Sequence, residues 1–135
     1  MNRAHWTESA AGRLLDELIA VAGTREVLLL SHDGSLRAHP RSIDRHTALE
    51  QASRFAAVQS ASRNAAELCG PGSTPWQQSL IEFAGGFVFL LALDETSYLA
   101  VSASALADVA VIAFRMHLLV DKLVGETTAS AHPDI

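Results

Sequence analysis

The stretch that decides the fold is Val27-Leu28-Leu29-Leu30-Ser31-His32-Asp33-Gly34-Ser35-Leu36, an apolar run followed by an Asp-Gly turn and a second short strand. Asp-Gly favours a tight hairpin, because Gly adopts positive φ without steric cost and Asp hydrogen-bonds its neighbouring backbone. The pattern predicts a hairpin over about 26–39. Since residues 27–30 are apolar on both faces, we expect this strand in the centre of a sheet that is covered on both sides.

Helical periodicity lies on both sides of the hairpin. Residues 8–22 place their apolar side chains on one arc, with Thr7 as the expected N-cap and Gly23 at the end. Asp44 is the expected N-cap of a long Ala- and Ser-rich helix over 45–69. Phe55 lies at the centre of its weakly apolar inner stripe, which also includes Gln59 and Cys69. A last helix, apolar on most of its circumference, is predicted over 105–124 and is expected to be wedged between the sheet and the first helix.

Three strands are predicted between the last two helices, over 76–83, 87–93 and 98–103. The short links at 84–86 and 94–97 indicate antiparallel hairpins. The first strand mixes polar and apolar residues, as an edge strand does, whereas 87–93 is apolar on both faces and is expected in the sheet interior. These elements predict one domain over 8–124, with flexible termini at 1–7 and 125–135.

The composition limits which kinds of partner the protein can bind and which cellular compartment it is expected to occupy. The chain has 135 residues, 49% of them hydrophobic and 19% charged, which favours a single well-packed domain. A net charge of -5 opposes binding to nucleic acid or to an anionic membrane, and no apolar run is long enough to span a bilayer. Cys69 is the single cysteine, and no secretory leader pattern is visible, so we expect a cytoplasmic protein.

Candidate catalytic groups give weak signals. Three histidines recur every seven residues, at positions 32, 39 and 46, but they fall on a turn, a strand end and a helix start, so surface histidines are expected rather than a metal site. The adjacent side chains of Ser31-His32-Asp33 cannot converge as a hydrolytic triad does, and Asp33 is explained by its turn. No phosphate-binding loop is visible, and Cys69 is expected to be an inert buried thiol. We therefore expect no cofactor and no enzymatic activity.

The order of elements carries a family resemblance. The chain resembles the Roadblock/dynein-light-chain family, a branch of the longin-like folds, in 27–34, in Leu80-Ile81-Glu82-Phe83-Ala84-Gly85-Gly86-Phe87-Val88-Phe89 and in Tyr98-Leu99-Ala100-Val101. The resemblance implies an α/β fold of order α-β-β-α-β-β-β-α. It further implies a five-stranded antiparallel sheet, with the long second helix on one face and the first and last helices on the other.

The same resemblance implies a function. Family members typically dimerise through the long helix and the following edge strand, and they bind or regulate Ras-like small GTPases. The implied role is a non-enzymatic homodimeric regulator or scaffold that binds a Ras-like small GTPase in a bacterial signalling or polarity system. An edge strand beside a small-residue helix face suits such self-pairing. The residues assigned to the dimer or partner interface are Ser53, Ala57, Ser60, Ala61, Asn64, Trp76, Gln78 and Leu80.

A small-ligand sensor module is the alternative, because a sheet with helices on both faces can hold a pocket between them. An open cavity beneath the long helix would favour this sensor, whereas a filled core with a two-fold interface would favour the regulator. A hydrolase has little support, since the sequence shows no separated nucleophile and base.

Overall fold

Helices and strands follow one another in the predicted order in the computed structural model, which describes residues 8–72 and 74–131. Side chains are described for 10–72 and 74–125. The elements are α1 (Glu8–Ile19), β1 (Thr24–Ser31), β2 (Leu36–Ala38), α2 (Arg45–Asn64), β3 (Gln78–Phe83), β4 (Gly86–Ala92), β5 (Ser97–Ser104) and α3 (Val109–Ala131). A 3-10 segment, Ala65–Cys69, extends α2.

The strands form one antiparallel five-stranded sheet in the order β2-β1-β5-β4-β3. Alternate residues of β1 point to opposite faces, so Val27 and Leu29 pack with α1 and α3, while Leu28 and Leu30 pack with α2. The resemblance implied that α2 covers one face of the sheet and that α1 and α3 cover the opposite face, and this placement is confirmed. As predicted, β1 is an interior strand and β3 an edge strand.

Small side chains bring α2 close to the sheet. Ala48 and Ala52 are buried against the sheet together with Phe55, which is 5% exposed. The predicted N-cap is confirmed, because Asp44 Oδ1 accepts a hydrogen bond from the Thr47 amide at 2.8 Å. These contacts fill the space beneath α2, where the sensor alternative requires an open cavity.

The Asp-Gly turn folds as the sequence predicts, although its second strand is shorter than expected. Asp33 Oδ1 accepts hydrogen bonds from the Ser35 amide at 2.9 Å and from Ser31 Oγ at 2.6 Å. Gly34 has a φ of 92°, in the left-handed region that favours glycine. A bulge between Leu29 and Leu30 changes the register with β2, which keeps only three residues.

Several predicted boundaries are wrong, for local reasons. The first helix ends at Ile19 rather than at 22, and Gly23 lies in a following turn at a φ of 89°. The long helix is α-helical only to Asn64. The last helix begins at Val109, where Asp108 Oδ1 accepts a hydrogen bond from the Val111 amide at 3.2 Å, and it continues beyond 124 to Ala131. The strand predicted from 76 starts at Gln78.

Coverage of the sheet and of α3 is less complete than predicted. Phe87 and Val88 on β4 are only half-buried. The helix α3 buries one arc, including Met116, but it exposes a second apolar stripe formed by Val111, Phe114 and Leu118, with Phe114 63% exposed. The prediction that α3 is wedged between two other elements is therefore wrong for its outer side, which no described element covers. The expected cap at Thr7 lies outside the described residues, as does the end of the tail beyond 131.

Candidate functional site

The helix residues assigned to the interface lie along one face of α2, and Trp76 lies beside the end of that helix, whereas Leu80 on the edge strand shares the α1/α3 face of the sheet with its partner Phe89. In the described chain, Ser53, Ala57, Ser60, Ala61, Asn64, Gln78 and Leu80 are exposed, and Trp76 is half-buried. Trp76 Nε1 donates to Ser79 Oγ at 2.8 Å, and Ser79 Oγ donates to Ser62 Oγ at 2.8 Å. These two hydrogen bonds join the start of β3 to the last turns of α2, so the helix face adjoins the start of the edge strand.

The edge strand offers backbone and apolar groups to a partner. In the described chain, β3 pairs with β4 alone, which leaves one row of backbone donors and acceptors available. Leu80 and Phe83 are 52% and 56% exposed, respectively, and the pairing with β4 places them on opposite faces. On α2, the exposed Ala57 and Ala61 add little bulk, so a second backbone can approach closely.

A buried polar contact inside this surface was not predicted. Gln59 on α2 is 2% exposed, and its Nε2 lies 2.8 Å from Nδ1 of His32 on the hairpin turn. We expected His32 at the surface, but it is half-buried, which corrects that expectation. The helical periodicity places Gln59 on the inner stripe of α2. A polar side chain at a buried position needs a hydrogen-bond partner, so this position is the sequence signal that could have predicted the contact.

Aromatic rings surround this polar contact. His32 stacks on Tyr98 with ring centroids 5.5 Å apart, and Trp76 meets both rings edge-on, at 6.3 Å from His32 and 5.8 Å from Tyr98. Burial raises the pKa of the Tyr98 phenol to about 12, so this group stays neutral in the physiological range. Its buried hydroxyl has no hydrogen-bond partner among the described residues.

Three clefts border Trp76: one of about 620 Å³ lies along β3 and the end of α2, and the two that also border His32 have volumes of about 370 Å³ each. Both of these smaller clefts are lined by His32, Arg63 and Trp76. The first of them continues along the end of α2, past Gln59, Asn64 and Glu67. The second continues to the β4–β5 turn, where Asp94 and Glu95 line it. The concave surface therefore lies beyond the C-terminal end of α2.

The remaining candidate groups have local structural contacts. Ser31 and Asp33 bond each other in the hairpin turn, while His32 turns away to Gln59. Among residues 8–72 and 74–131, no three side chains of His, Cys, Asp or Glu are grouped as a metal site requires. Cys69 is exposed, so the expected buried thiol is wrong: no residue of the 3-10 segment that carries it is buried.

The fold agrees with a match to a known family. The model of the Roadblock/LC7 domain matches residues 10–103, which is more than half of the chain. The chain belongs to the Roadblock/LC7 family. No curated protein sequence matches it significantly. In the described part of this Roadblock protein, no helix combines the length and apolarity needed to cross a membrane.

Solved structures show the same fold. The Roadblock/LC7 domain from Streptomyces avermitilis superimposes with a TM-score of 0.73 at 27% identity, covering 84% of this chain and 94% of that one. Myxococcus xanthus MglB gives a TM-score of 0.69 at 20% identity, over 85% of this chain and 92% of that chain. The gliding protein MglB from Thermus thermophilus gives 0.74 at 17% identity, over 90% of both chains.

Proposed function

We propose that this Roadblock protein is a non-enzymatic homodimeric regulator or scaffold, acting in the cytoplasm on a Ras-like small GTPase. The observation that carries the proposal is the exposed small-residue face of α2 next to the edge strand β3. Family membership supports it, because the Roadblock resemblance implies both self-association and GTPase binding. We assign this role to a domain over 8–124, with neither nucleic acid nor membrane as a partner.

The proposed dimer joins two copies along β3. Antiparallel pairing of β3 with its copy would satisfy the outward row of backbone groups and continue the sheet across both subunits. The half-buried Val88 and the exposed Phe83 lie beside this edge, so a second copy could cover apolar area that a monomer exposes. The interface comprises Ser53, Ala57, Ser60, Ala61, Asn64, Trp76, Gln78 and Leu80.

The GTPase would bind to the α2 side of this dimer, where two small-residue helix faces lie together. Binding there could order the switch loops of the partner and raise its hydrolysis rate, or it could tether the GTPase to a signalling complex. In both cases the chemistry of GTP hydrolysis belongs to the partner, since this sequence offers no phosphate-binding loop.

The first experiment measures mass by light scattering at tens of micromolar protein, where we expect twice the chain mass. The second captures the protein from its native cell and tests any co-purified small GTPase for direct binding and for GTP turnover. A monomer, or a dimer that binds no GTPase in the purified system, would contradict the proposal. Turnover of GTP by the purified protein alone would contradict its non-enzymatic part.

A further inference from the structure

The first cleft at the end of α2 has charged walls of opposite sign. Arg63 stands in the last turn of α2, and Glu67 stands one turn later in the 3-10 segment. Both side chains line the cleft and are exposed. Within the described residues, no ion pair joins Arg63 to any carboxylate or Glu67 to any basic group. The cleft therefore offers one cation and one anion to a ligand.

An aromatic side chain borders this cleft and can pack against a flat group. Trp76 is half-buried and lines both of the smaller clefts. Its hydrogen bond to Ser79 Oγ and its edge-on packing against Tyr98 hold the ring in place. A fixed indole favours stacking with another planar ring, with ring centroids about 4.5 to 7 Å apart.

Polar groups next to the indole could orient such a ligand. Gln59 and Asn64 both line the first cleft, but Gln59 is 2% exposed and its amide contacts His32, so the exposed Asn64 is the amide side chain open to a ligand. The second cleft carries Asp94 and Glu95, which disfavour a ligand carboxylate there. A carboxylate is thus best placed at Arg63, on the side of the first cleft.

From these groups we propose that the first cleft binds a free α-amino acid with a planar side chain. The ligand carboxylate would pair with Arg63, its ammonium group with Glu67, and its ring would stack on Trp76. The volume of about 370 Å³ falls within the usual range of small-molecule sites. The proposal does not depend on the GTPase-binding role.

Self-association bears on this site, because Ser60, Asn64 and Trp76 line the cleft and also belong to the proposed interface. A second copy would therefore lie at the mouth of the cleft. We expect ligand binding to shift the monomer–dimer equilibrium, which gives a small molecule a route to control assembly. Mass and ligand binding must accordingly be measured on the same samples.

The test uses L-phenylalanine as the probe and the indole N–H signal of Trp76 in NMR spectra as the readout. A Trp6→Phe background leaves one indole in the full chain. We expect a saturable shift with L-phenylalanine. Phenethylamine, which lacks the carboxylate, and 3-phenylpropionate, which lacks the ammonium group, should each bind about tenfold or more weakly.

Charge-neutral variants test which protein side chain binds the carboxylate of the ligand and which binds its ammonium group. Arg63→Gln should remove the advantage of L-phenylalanine over phenethylamine, and Glu67→Gln should remove its advantage over 3-phenylpropionate. Arg54→Gln and Glu50→Gln are matched controls on exposed parts of α2 outside the cleft, and they should leave binding unchanged.

The outcomes separate this proposal from the dimer. No saturable shift up to about 10 mM L-phenylalanine, or equal binding of all three probes, would overturn the amino-acid site whatever the mass of the protein. Saturable binding with the expected variant pattern would support it even if light scattering reports a monomer.

Discussion

Gln59 Nε2 and His32 Nδ1 lie 2.8 Å apart and join the long helix to the hairpin turn across 27 residues of sequence. Gln59 is almost fully buried, so its amide depends on this contact in place of water. We expect His32→Ala to lower the free energy of unfolding by about 1 to 3 kcal/mol, because it leaves a buried amide without this partner.

A double-mutant cycle isolates that contact. Gln59→Leu in the His32→Ala background should cost much less than Gln59→Leu alone, since the hydrogen bond is already lost. Chemical denaturation of the four proteins gives the coupling free energy. Strict additivity of the two changes would show that the contact contributes nothing.

Phe55 anchors α2 on the sheet. Phe55→Ala should cost about 3 to 5 kcal/mol by opening a cavity among the residues that α2 buries. Leu49→Ala, on an exposed part of the same helix, is the control and should cost well under that amount. Thermal or denaturant unfolding measures both, and equal losses would contradict the assigned anchoring role.

Ala57 and Ala61 test the association surface without disturbing the fold. Ala57→Arg and Ala61→Arg should leave the unfolding free energy nearly unchanged, because both positions are exposed and Arg is a good helix former. Both should shift the light-scattering mass towards the monomer, since a bulky charge blocks a second helix. Ala110→Arg on the exposed side of α3 is the control. Retention of the dimer and of GTPase binding in both variants would make this helix face ordinary solvated surface.

Two neighbouring glycines, Gly85 in the β3–β4 turn and Gly86 at the start of β4, should respond differently to alanine. A Cβ at Gly86 would collide with the carbonyl oxygen of Ala103, whereas a Cβ at Gly85 meets open space. Gly86→Ala should therefore cost about 1 to 3 kcal/mol through forced backbone shifts. Gly85→Ala should be close to neutral in the same denaturation experiment. A reversed order would mean that the turn is built differently.

Glu26 makes stability depend on pH. Burial raises the pKa of its carboxyl group above 4.5, and its Oε1 is buried without a hydrogen-bond partner among the described residues. The folded state thus binds the proton more tightly than the unfolded state, so this group lowers stability as pH rises from the unfolded pKa through the folded one. Glu26→Gln should raise stability at neutral pH and flatten that part of the profile, with Glu95→Gln as the exposed control. An unchanged profile would mean that Glu26 is solvated.

The sequence by itself determined the order of elements and much of the sheet. Period-two and continuous apolar runs, the Asp33-Gly34 turn and the Asp44 cap act over a few residues, so their effect is visible without the rest of the chain. The mixed composition of β3 likewise identified an edge strand. These local signals also carried the Roadblock resemblance.

The tertiary structure alone decided which polar and apolar groups are buried. Helical periodicity placed Gln59 inward, but only the packed fold brings His32 from the hairpin turn to its amide. Cys69 is exposed because no described element packs over the 3-10 segment that follows α2, and the outer stripe of α3 is exposed because α1 and the sheet cover only one arc. Burial depends on what packs across from a residue, which neighbours in sequence do not specify.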